Sequence, residues 1–385
     1  MPTFITAAIV SLCAILVTGQ QISYNGRFPR VSNGAAFPQR FSWAASSIYV
    51  PFQDAQNVTI AFSRVQGTGP SQFEIRVDSH LVESATSLTT KPQNVTVTLA
   101  GSGTHSLAIT KITEAALGEA QVDGVWLDKG SFGPMRSSGL GRRMEIIGAS
   151  IMNGYGNLGN DQGCQPSYQA EDAVVAVGPL VANHFGAKFG LIAWTGAGIL
   201  RKGVEVRPEN ANEQPLEKQG PTIPELYSRA DAGDPNSSFD HSQFTPQVVL
   251  IEAGGNDFSN GTKPPSNWGA EYKRFLRQVR SNAPEADIVV LGLPVDITRP
   301  IRGEASAQMY AQAVQQQVQE LKAENFQKLH LLRLPASVMQ DSTLGCNGHP
   351  TANTHMNMAA IVQQFVANIT AWGPTGTETS FLYHN

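Results

Sequence analysis

Charged residues are scarce in this chain of 385 residues, at 15% of the total, and they form no basic block. The 27 basic and 31 acidic residues leave a net charge of −4, so we expect no nucleic-acid partner. Long apolar runs are missing beyond the N-terminus, which predicts no membrane-spanning segment there. Glycine (36) and proline (23) are plentiful instead, and this favours short strands with many turns.

The N-terminus, 1–19, has the pattern of a secretory signal peptide. An apolar core over 5–17 ends in the small residues Val17-Thr18-Gly19, and cleavage there would leave a chain that begins at Gln20. The alternative is a membrane anchor, which needs about 18–20 apolar residues, more than this run offers. We therefore expect a secreted, extracellular protein with no membrane attachment after the signal is removed.

Cysteine is also rare, with three residues in the chain. Removal of Cys13 with the signal leaves Cys164 and Cys346, and an isolated pair in an oxidising compartment is usually bridged. That disulfide would close a loop of about 180 residues and constrain the unfolded chain. Five glycosylation sequons also fit secretion, at Asn57, Asn94, Asn236, Asn260 and Asn368.

Two regions of different pattern follow the signal. Residues 20–133 contain short runs of alternating polarity separated by turn residues, which predicts a jelly-roll-like β-sandwich. Its Phe41-Ser42-Trp43 segment belongs either to the core or to a sugar-stacking surface, and we favour the core. After a linker over 134–143, strands and helices alternate through 144–385, which predicts a parallel sheet covered on both faces. The predicted strands are 144–148, 189–194, 248–253, 288–291 and 329–332, and the predicted helices are 167–185, 268–281, 305–324 and 351–371.

Ser150 follows the first predicted strand of the second region. An apolar run bounded by glycines, as at 144–148, predicts a buried strand that ends in a tight turn. Open α/β sheets bind their ligands just beyond the carboxyl ends of such strands, so Ser150 is a candidate nucleophile. The alternative is that Ser150 only caps the next helix.

His349 is the candidate base. It lies in a turn before the last predicted helix, where Pro350 and the proposed disulfide at Cys346 would fix its backbone. A lone histidine is more often a surface residue or a buried structural one. His355 falls inside the predicted helix, and we assign it a structural role.

Two further strand ends offer hydrogen-bond donors for an oxyanion. Gly196 lies in Trp194-Thr195-Gly196-Ala197-Gly198, where a backbone N–H can approach a substrate closely. Asn256 lies in Gly254-Gly255-Asn256-Asp257 and offers a neutral side-chain donor. Each motif alone is equally typical of an ordinary turn.

In this order, Ser150, Gly196, Asn256 and His349 resemble the four blocks of the SGNH (GDSL-type) hydrolase superfamily. A sandwich before the catalytic domain strengthens the likeness, and the chain is similar over nearly its whole mature length to carbohydrate esterase family 2. The motifs that carry this second resemblance are 142–150, 153–157 and 345–350, with Thr354, His355, Met358 and Ala359.

The resemblance implies a flavodoxin-like α/β/α hydrolase domain that removes O-acetyl groups from plant-wall polysaccharides such as xylan or glucomannan. It implies neither a metal nor a diffusible cofactor. His349 would take the proton of Ser150, and the oxyanion would be held by the N–H groups of Ser150 and Gly196 and by the Asn256 side chain. We expect a monomer whose partner is an acetylated polysaccharide or oligosaccharide.

The chain departs from the superfamily pattern at the acidic positions. Ala149 replaces the aspartate before the serine, and Cys346 and Asn347 stand where the third triad residue is expected. The Asn347 amide oxygen could accept from the imidazole N–H, or a backbone carbonyl could serve. Gly348 replaces an aromatic residue that could stack on a sugar. Trp194 and Trp268 could supply such a surface elsewhere, but we favour the core for both.

Two functions of different class follow. The first is an active secreted acetyl esterase, which the retention of all four blocks favours. The second is a catalytically weakened relative that binds glycans through its sandwich or its cleft, which the loss of both acidic positions favours. We expect the first.

Overall fold

The computed structural model describes residues 15–16, 22–29, 36–67, 69–83, 92–134, 141–164, 167–202, 204–205, 216–217, 220–261, 263–339 and 344–375. The predicted signal peptide lies outside these residues, except for Ile15–Leu16, which pairs with Trp126 and Leu127. Secretion and cleavage at Gln20 therefore stay predictions. None of the helices among the described residues is long and apolar enough to cross a bilayer.

The N-terminal region is built of two antiparallel sheets. The first contains β1 (Ile15–Leu16), β10 (Gly118–Leu127), β5 (Asn57–Gly67) and β8 (Gln93–Thr98) in that order, with β3 (Gln39–Phe41) also paired to β10. The second contains β11 (Ser131–Phe132), β4 (Ser47–Gln53), β9 (Thr104–Lys111), β6 (Phe73–Val77) and β7 (His80–Glu83), with β2 (Ser23–Asn25) paired to β4.

The sandwich core follows from the alternation of side chains along each strand. In β6, Phe73, Ile75 and Val77 are buried, whereas Glu74 and Arg76 between them are partly exposed. Successive side chains of a strand point to opposite faces, so this alternation places one apolar face inside. The predicted β-sandwich is confirmed.

The C-terminal region is organised around one parallel sheet. Its order is β13 (Lys188–Ala193), β12 (Arg143–Gly148), β16 (Val248–Glu252), β17 (Asp287–Gly292) and β18 (Leu329–Arg333). This is the 2-1-3-4-5 order of flavodoxin-like sheets. The strand order reverses between the first and the third strand, which are β12 and β16 here. A short antiparallel pair, β14 (Val204–Glu205) and β15 (Leu216–Glu217), lies outside this sheet.

Helices cover both faces of the parallel sheet, as the sequence predicts. The helices are α1 (Ser150–Asn153), α2 (Val177–His184), α3 (Ile223–Tyr227), α4 (Trp268–Asn282), α5 (Val295–Arg302), α6 (Glu304–Ala323) and α7 (Ala352–Thr370). One apolar cluster joins Met144 and Ile146 of β12 to α2 and α7, and a second joins Ile147 to α3, α4 and α6.

The predicted helix over 167–185 is too long. The Asp172 side chain caps a 3-10 turn at 173–175, and Ala176 is extended, with φ −76° and ψ 156°. The extended residue stops the turn from continuing into a helix, so α2 begins only at Val177. The helix α5 was absent from the sequence prediction.

Buried polar contacts fix the sandwich against the C-terminal region. The Arg27 guanidinium donates to the Glu145 carboxylate at 2.6 Å, and both side chains are buried. Trp43 belongs to an apolar cluster of the C-terminal region, and its indole N–H donates to the Ala230 carbonyl at 2.9 Å. The aromatic segment at 41–43 is therefore core, as expected, and it serves both regions.

Candidate active site

Three neighbouring strand ends carry the predicted site residues. In the parallel sheet, Gly148 at the end of β12 pairs with Ala193 of β13 on one side and with Glu252 of β16 on the other. The turns after these three strands contain Ser150, Gly196 and Asn256. The site therefore lies at the carboxyl edge of the sheet, where the strand order reverses.

A tight turn delivers Ser150 to the first position of α1. A Cβ on Gly148 would lie 2.4 Å from Cγ of Met152 and 2.6 Å from the Glu252 carbonyl oxygen, so only glycine fits there. The residue that caps α1 is Ala149, which has no side-chain hydrogen bond. Ser150 therefore does not cap the helix, and its hydroxyl is available for another partner.

That partner is His349. The His349 Nε2 atom lies 2.9 Å from Ser150 Oγ, and Nδ1 lies 3.2 Å from the backbone carbonyl oxygen of Asn347. A carbonyl can only accept, so Nδ1 carries the proton and Nε2 accepts from the serine hydroxyl. This is the tautomer that a general base acting on Ser150 requires.

Asn347 thus acts through its main chain. It adopts a left-handed conformation with φ 54° inside a 3-10 turn, which asparagine tolerates better than most residues. Its side chain is exposed. Of the two acceptors that the sequence left open for His349, the structure places the backbone carbonyl against the ring.

Gly196 and Asn256 lie in adjoining turns. Gly196 has φ 83°, a conformation that favours glycine. The Asn256 side chain is buried and its amide nitrogen donates to the Ala197 carbonyl at 2.9 Å. This bond fixes the Asn256 amide beside the turn that carries Gly196.

Asp257 braces the same turn, and sequence reasoning assigned it no role. Its buried carboxylate accepts from the backbone N–H groups of Ile199, Leu200 and Arg201 at 2.6, 3.0 and 3.1 Å. Burial raises the pKa of Asp257, while these donors oppose the rise. Asp257 directly follows the candidate donor Asn256, and this position is the sequence signal that could have identified it.

The loop after Ser150 is tied to the turn that carries His349. The predicted disulfide between Cys164 and Cys346 is present, and the Cys346 N–H also donates to the Gly156 carbonyl at 3.0 Å. A Cβ on Gly159 would lie 2.4 Å from the Cys346 sulfur, so the loop packs closely on the bridge.

Asn157 adds a second connection. The Asn157 carbonyl accepts from the Ala352 N–H at the start of α7, and its side-chain amide exchanges two hydrogen bonds of 2.9 Å with the backbone of Asp172. The ring of Tyr155 packs edge-on against the His349 ring, with centroids 4.8 Å apart. Several contacts thus hold His349 against the loop that follows Ser150.

A carboxylate from the sandwich also reaches this edge of the sheet. Glu114, which sequence reasoning missed, is buried and accepts hydrogen bonds from Asn153 and Thr195. Burial raises the pKa of Glu114. Burial, followed by the charges of Glu114 and Glu171, raises the pKa of Tyr155 to about 12. Nothing in the local pattern around Glu114 points to a contact with the C-terminal region.

Three further residues considered from the sequence are His355, Trp268 and Trp194. His355 is fully buried in α7, its Nδ1 accepts from the Val177 N–H, and burial lowers its pKa to about 3, which fits the structural role expected. Trp268 is buried and donates to Asp257, whereas Trp194 is only partly buried, so its assignment to the core holds in part.

The sequons lie on the surface to different degrees. Asn94, Asn236 and Asn368 are exposed, whereas the Asn57 amide nitrogen donates to Asp128 at 2.9 Å. The side chain of Asn260 lies outside the described residues. Glycosylation stays a prediction. Among the described residues, no group of three or more potential ligands is arranged to hold a metal ion.

Comparison with known proteins gives two family matches. Residues 146–360 match the GDSL-like Lipase/Acylhydrolase family, and residues 24–134 match the carbohydrate esterase 2 N-terminal domain. The first match includes Ser150, Gly196, Asn256 and His349, and the second covers most of the described sandwich.

Individual relatives agree with these matches. The cellulase/esterase CelE of Acetivibrio thermocellus is 28% identical over 362 residues, which are 91% of this chain and 40% of CelE. This chain thus spans less than half of that relative. An acetylxylan esterase/glucomannan deacetylase of Cellvibrio japonicus is 25% identical over 89% of this chain and 85% of its own. A family two carbohydrate esterase from Clostridium thermocellum, solved in complex with cellohexaose, has a TM-score of 0.77 and 25% identity, covering 91% of this chain and 100% of that one.

Proposed function

The chain belongs to the GDSL-like lipase/acylhydrolase family and is an ester hydrolase, and we propose that it removes O-acetyl groups from polysaccharides such as xylan or glucomannan. The observation that carries this proposal is the hydrogen bond of 2.9 Å between His349 Nε2 and Ser150 Oγ, with the imidazole tautomer fixed by a carbonyl. The names of the relatives in Cellvibrio japonicus and Acetivibrio thermocellus support the substrate class.

In the proposed mechanism, His349 Nε2 removes the hydroxyl proton of Ser150 while Oγ attacks the acetyl carbonyl carbon. The negative charge that develops on the carbonyl oxygen is stabilised by the N–H groups of Ser150 and Gly196 and by the Asn256 amide. The imidazolium then returns its proton to the departing sugar oxygen, which leaves an acetyl group on Ser150. Water hydrolyses this ester with His349 again acting as base, and acetate is released.

The main-chain carbonyl of Asn347 stands in for the acidic third residue of a triad. It orients the imidazole and selects the tautomer, but it carries no formal charge to stabilise the imidazolium. Loss of that charge slows other triads by about 10⁴-fold, part of which reflects a wrong tautomer that is avoided here. We therefore propose an active esterase that is secreted and works outside the cell, rather than a protein that only binds glycans.

Acetate release tests the proposal. Wild type should release acetate from acetylated xylan or glucomannan and hydrolyse 4-nitrophenyl acetate, and Ser150→Ala should reduce kcat by at least about 10⁴-fold, because the nucleophile is removed. The matched control is Ser228→Ala, since the Ser228 side chain is exposed at the end of α3 and should leave the rate unchanged.

An organophosphonate gives a second readout, because it should label Ser150 in the wild type but not in Ser150→Ala. If folded wild type neither releases acetate nor becomes labelled, the esterase proposal is wrong. Binding of cello- or xylo-oligosaccharides by the same unlabelled protein would then support the glycan-binding alternative.

A further inference from the structure

The turn between β9 and β10 of the sandwich inserts a buried carboxylate between two elements of the candidate active site. We propose that Glu114, supplied by the sandwich, is a positioning residue for the esterase reaction, and that it holds the nucleophile helix and the oxyanion turn in register. This inference rests on the proposed function, because it concerns the same reaction. It assigns the sandwich a part in catalysis besides any contact with the sugar chain.

One oxygen atom of Glu114 connects the two elements. Its Oε2 accepts from the Asn153 side-chain amide at 3.1 Å and from the Thr195 backbone N–H at 2.9 Å. Asn153 is the last residue of α1, whose first residue is Ser150. Thr195 directly precedes Gly196 in the turn after β13. A shift of this oxygen would therefore move the nucleophile and a proposed oxyanion donor relative to each other.

Among the described residues, no side chain caps the start of α1. Ala149 occupies the capping position, is 3% exposed and has only a methyl side chain, and α1 lacks a side-chain cap. A helix of four residues gains little stability from its own backbone hydrogen bonds. Contacts from outside must fix it, and Glu114 supplies one at its C-terminal residue.

Glu114 is itself held from two sides. Its backbone N–H donates to the buried Glu171 carboxylate at 2.8 Å, and its carbonyl accepts from Lys111 Nζ at 3.1 Å. Lys111 is fully buried, and its positive charge lowers the pKa of both Glu114 and Glu171, which opposes the larger rise that burial causes. These contacts hold the buried Glu114 in one position, which is what a positioning group requires.

A second buried carboxylate across the same interface provides a matched control. Glu145 lies in the middle of β12 and pairs with Arg27 of the sandwich at 2.6 Å. Its carboxylate accepts from Arg27 and lies beside Tyr227 of α3. Loss of Glu145 should weaken the docking of the sandwich without displacing Ser150 relative to Gly196.

The test compares Glu114→Ala, Glu114→Gln and Glu145→Gln by kcat and KM for 4-nitrophenyl acetate. The rates are divided by the number of sites titrated with an organophosphonate, so that unfolded protein does not count.

We expect Glu114→Ala to lower kcat per site by about 10- to 100-fold with KM changed by less than about threefold, because a misplaced reacting group affects the chemical step. Glu114→Gln keeps an acceptor oxygen and should retain kcat within about fivefold. Glu145→Gln should lower Tm but not kcat per site.

Amide hydrogen exchange gives a readout that needs no turnover. Peptides that cover 150–156 and 194–198 should exchange faster in Glu114→Ala than in Glu145→Gln, when both are compared at equal distance below their Tm. If Glu114→Ala does not fold, Asn153→Ala takes its place. This variant removes the donor of one of the two hydrogen bonds to Glu114 and should lower kcat per site by about tenfold.

Equal kcat per site in wild type and the Glu114→Ala or Asn153→Ala variant would overturn the inference, as would unchanged exchange in both peptides. These outcomes are distinct from failure of the proposed function, which is a wild type without acetate release. In that case, the exchange experiment still decides whether Glu114 positions the two elements.

Discussion

At the scale of single residues, the proposed mechanism gives a main-chain carbonyl the task that an acidic side chain performs in other triads. The Asn347 carbonyl reaches His349 Nδ1 because residue 347 is left-handed and the turn brings its carbonyl back toward the ring. Asparagine is suited to this position by its tolerance of positive φ. Its amide group is exposed, and the imidazole Nδ1 lies against its backbone carbonyl instead.

Asn347→Gly therefore should leave kcat for 4-nitrophenyl acetate within about threefold of wild type, because glycine adopts the same φ and retains the carbonyl. Asn347→Pro is the contrasting variant, since proline fixes φ near −65° and should displace the carbonyl. A fall of 100-fold or more in Asn347→Gly, with the fold intact by circular dichroism, would mean that the amide side chain orients His349 after all.

At the scale of elements, the site is an assembly of short turns that are fastened to one another. The loop after α1 is joined to the turn of His349 by the disulfide, by the Cys346 N–H and by Asn157. The turn of Gly196 is joined to the end of β16 by Asn256 and Asp257. Strands β12, β13 and β16 supply a rigid base, but these cross-connections set the distances between reacting groups.

Reduction of the Cys164–Cys346 disulfide should accordingly lower activity before it unfolds the protein, because the bridge holds the base against the nucleophile loop while each region retains its own core. The measurement is hydrolysis of 4-nitrophenyl acetate across a series of phosphine concentrations, with tryptophan fluorescence as the monitor of folding. Ala substitution at both cysteines is the non-chemical counterpart. Parallel loss of both signals would contradict the prediction, and free thiols at both positions in the unfolded, unreduced protein would remove its premise.

At the scale of the whole molecule, the sandwich and the hydrolase region share a layer of buried acids. Burial is the largest cause of a raised pKa in each, to about 8 for Glu171 and about 7 for Asp172 and Glu119. An acid whose pKa is higher in the folded state keeps its proton at pH values where the unfolded chain has already released it. The stabilisation that this bound proton gives to the folded state is lost as the pH rises toward the pKa of the folded state.

The free energy of unfolding should therefore fall between about pH 6.5 and 8. Histidines with lowered pKa values, His241 at about 4 and His355 at about 3, are neutral in both states above their ordinary value and do not oppose this trend. The lowered pKa of Lys111, about 8, contributes only above that window, where stability would rise again with pH.

Urea titrations at several pH values between 6.5 and 8 measure the slope. Glu171→Gln should make the slope of the unfolding free energy against pH shallower by up to about 1.4 kcal/mol per pH unit, the maximum for one proton. Its amide oxygen can still accept from the Glu114 N–H. Glu285→Gln serves as the control, because the Glu285 carboxylate is exposed and should leave the slope unchanged. A stability that rises with pH across this window in wild type would disprove the assignment.

The architecture was readable from the sequence because it depends on local periodicity. Alternation in segments such as Phe73–Val77 predicts half-buried strands, and continuous apolar runs such as Val248–Glu252 predict strands buried on both faces. The order of strands and helices then favours a parallel sheet, whose carboxyl edge collects the turns with Ser150, Gly196 and Asn256. That these turns meet is a consequence of topology and needs no knowledge of side-chain contacts.

The tertiary structure alone decided how these turns are held. The acceptor for His349 depends on one backbone angle at Asn347, and no periodic pattern encodes an angle at a single turn residue. The length of α2 depends on capping by Asp172 and the extended Ala176, which override the helical pattern before Val177. Glu114 meets Asn153 and Thr195 only because two separately patterned regions dock. Buried positions recur at regular intervals along a strand or helix, so they produce a periodic apolar pattern in the sequence. A single hydrogen bond between distant turns produces no such pattern.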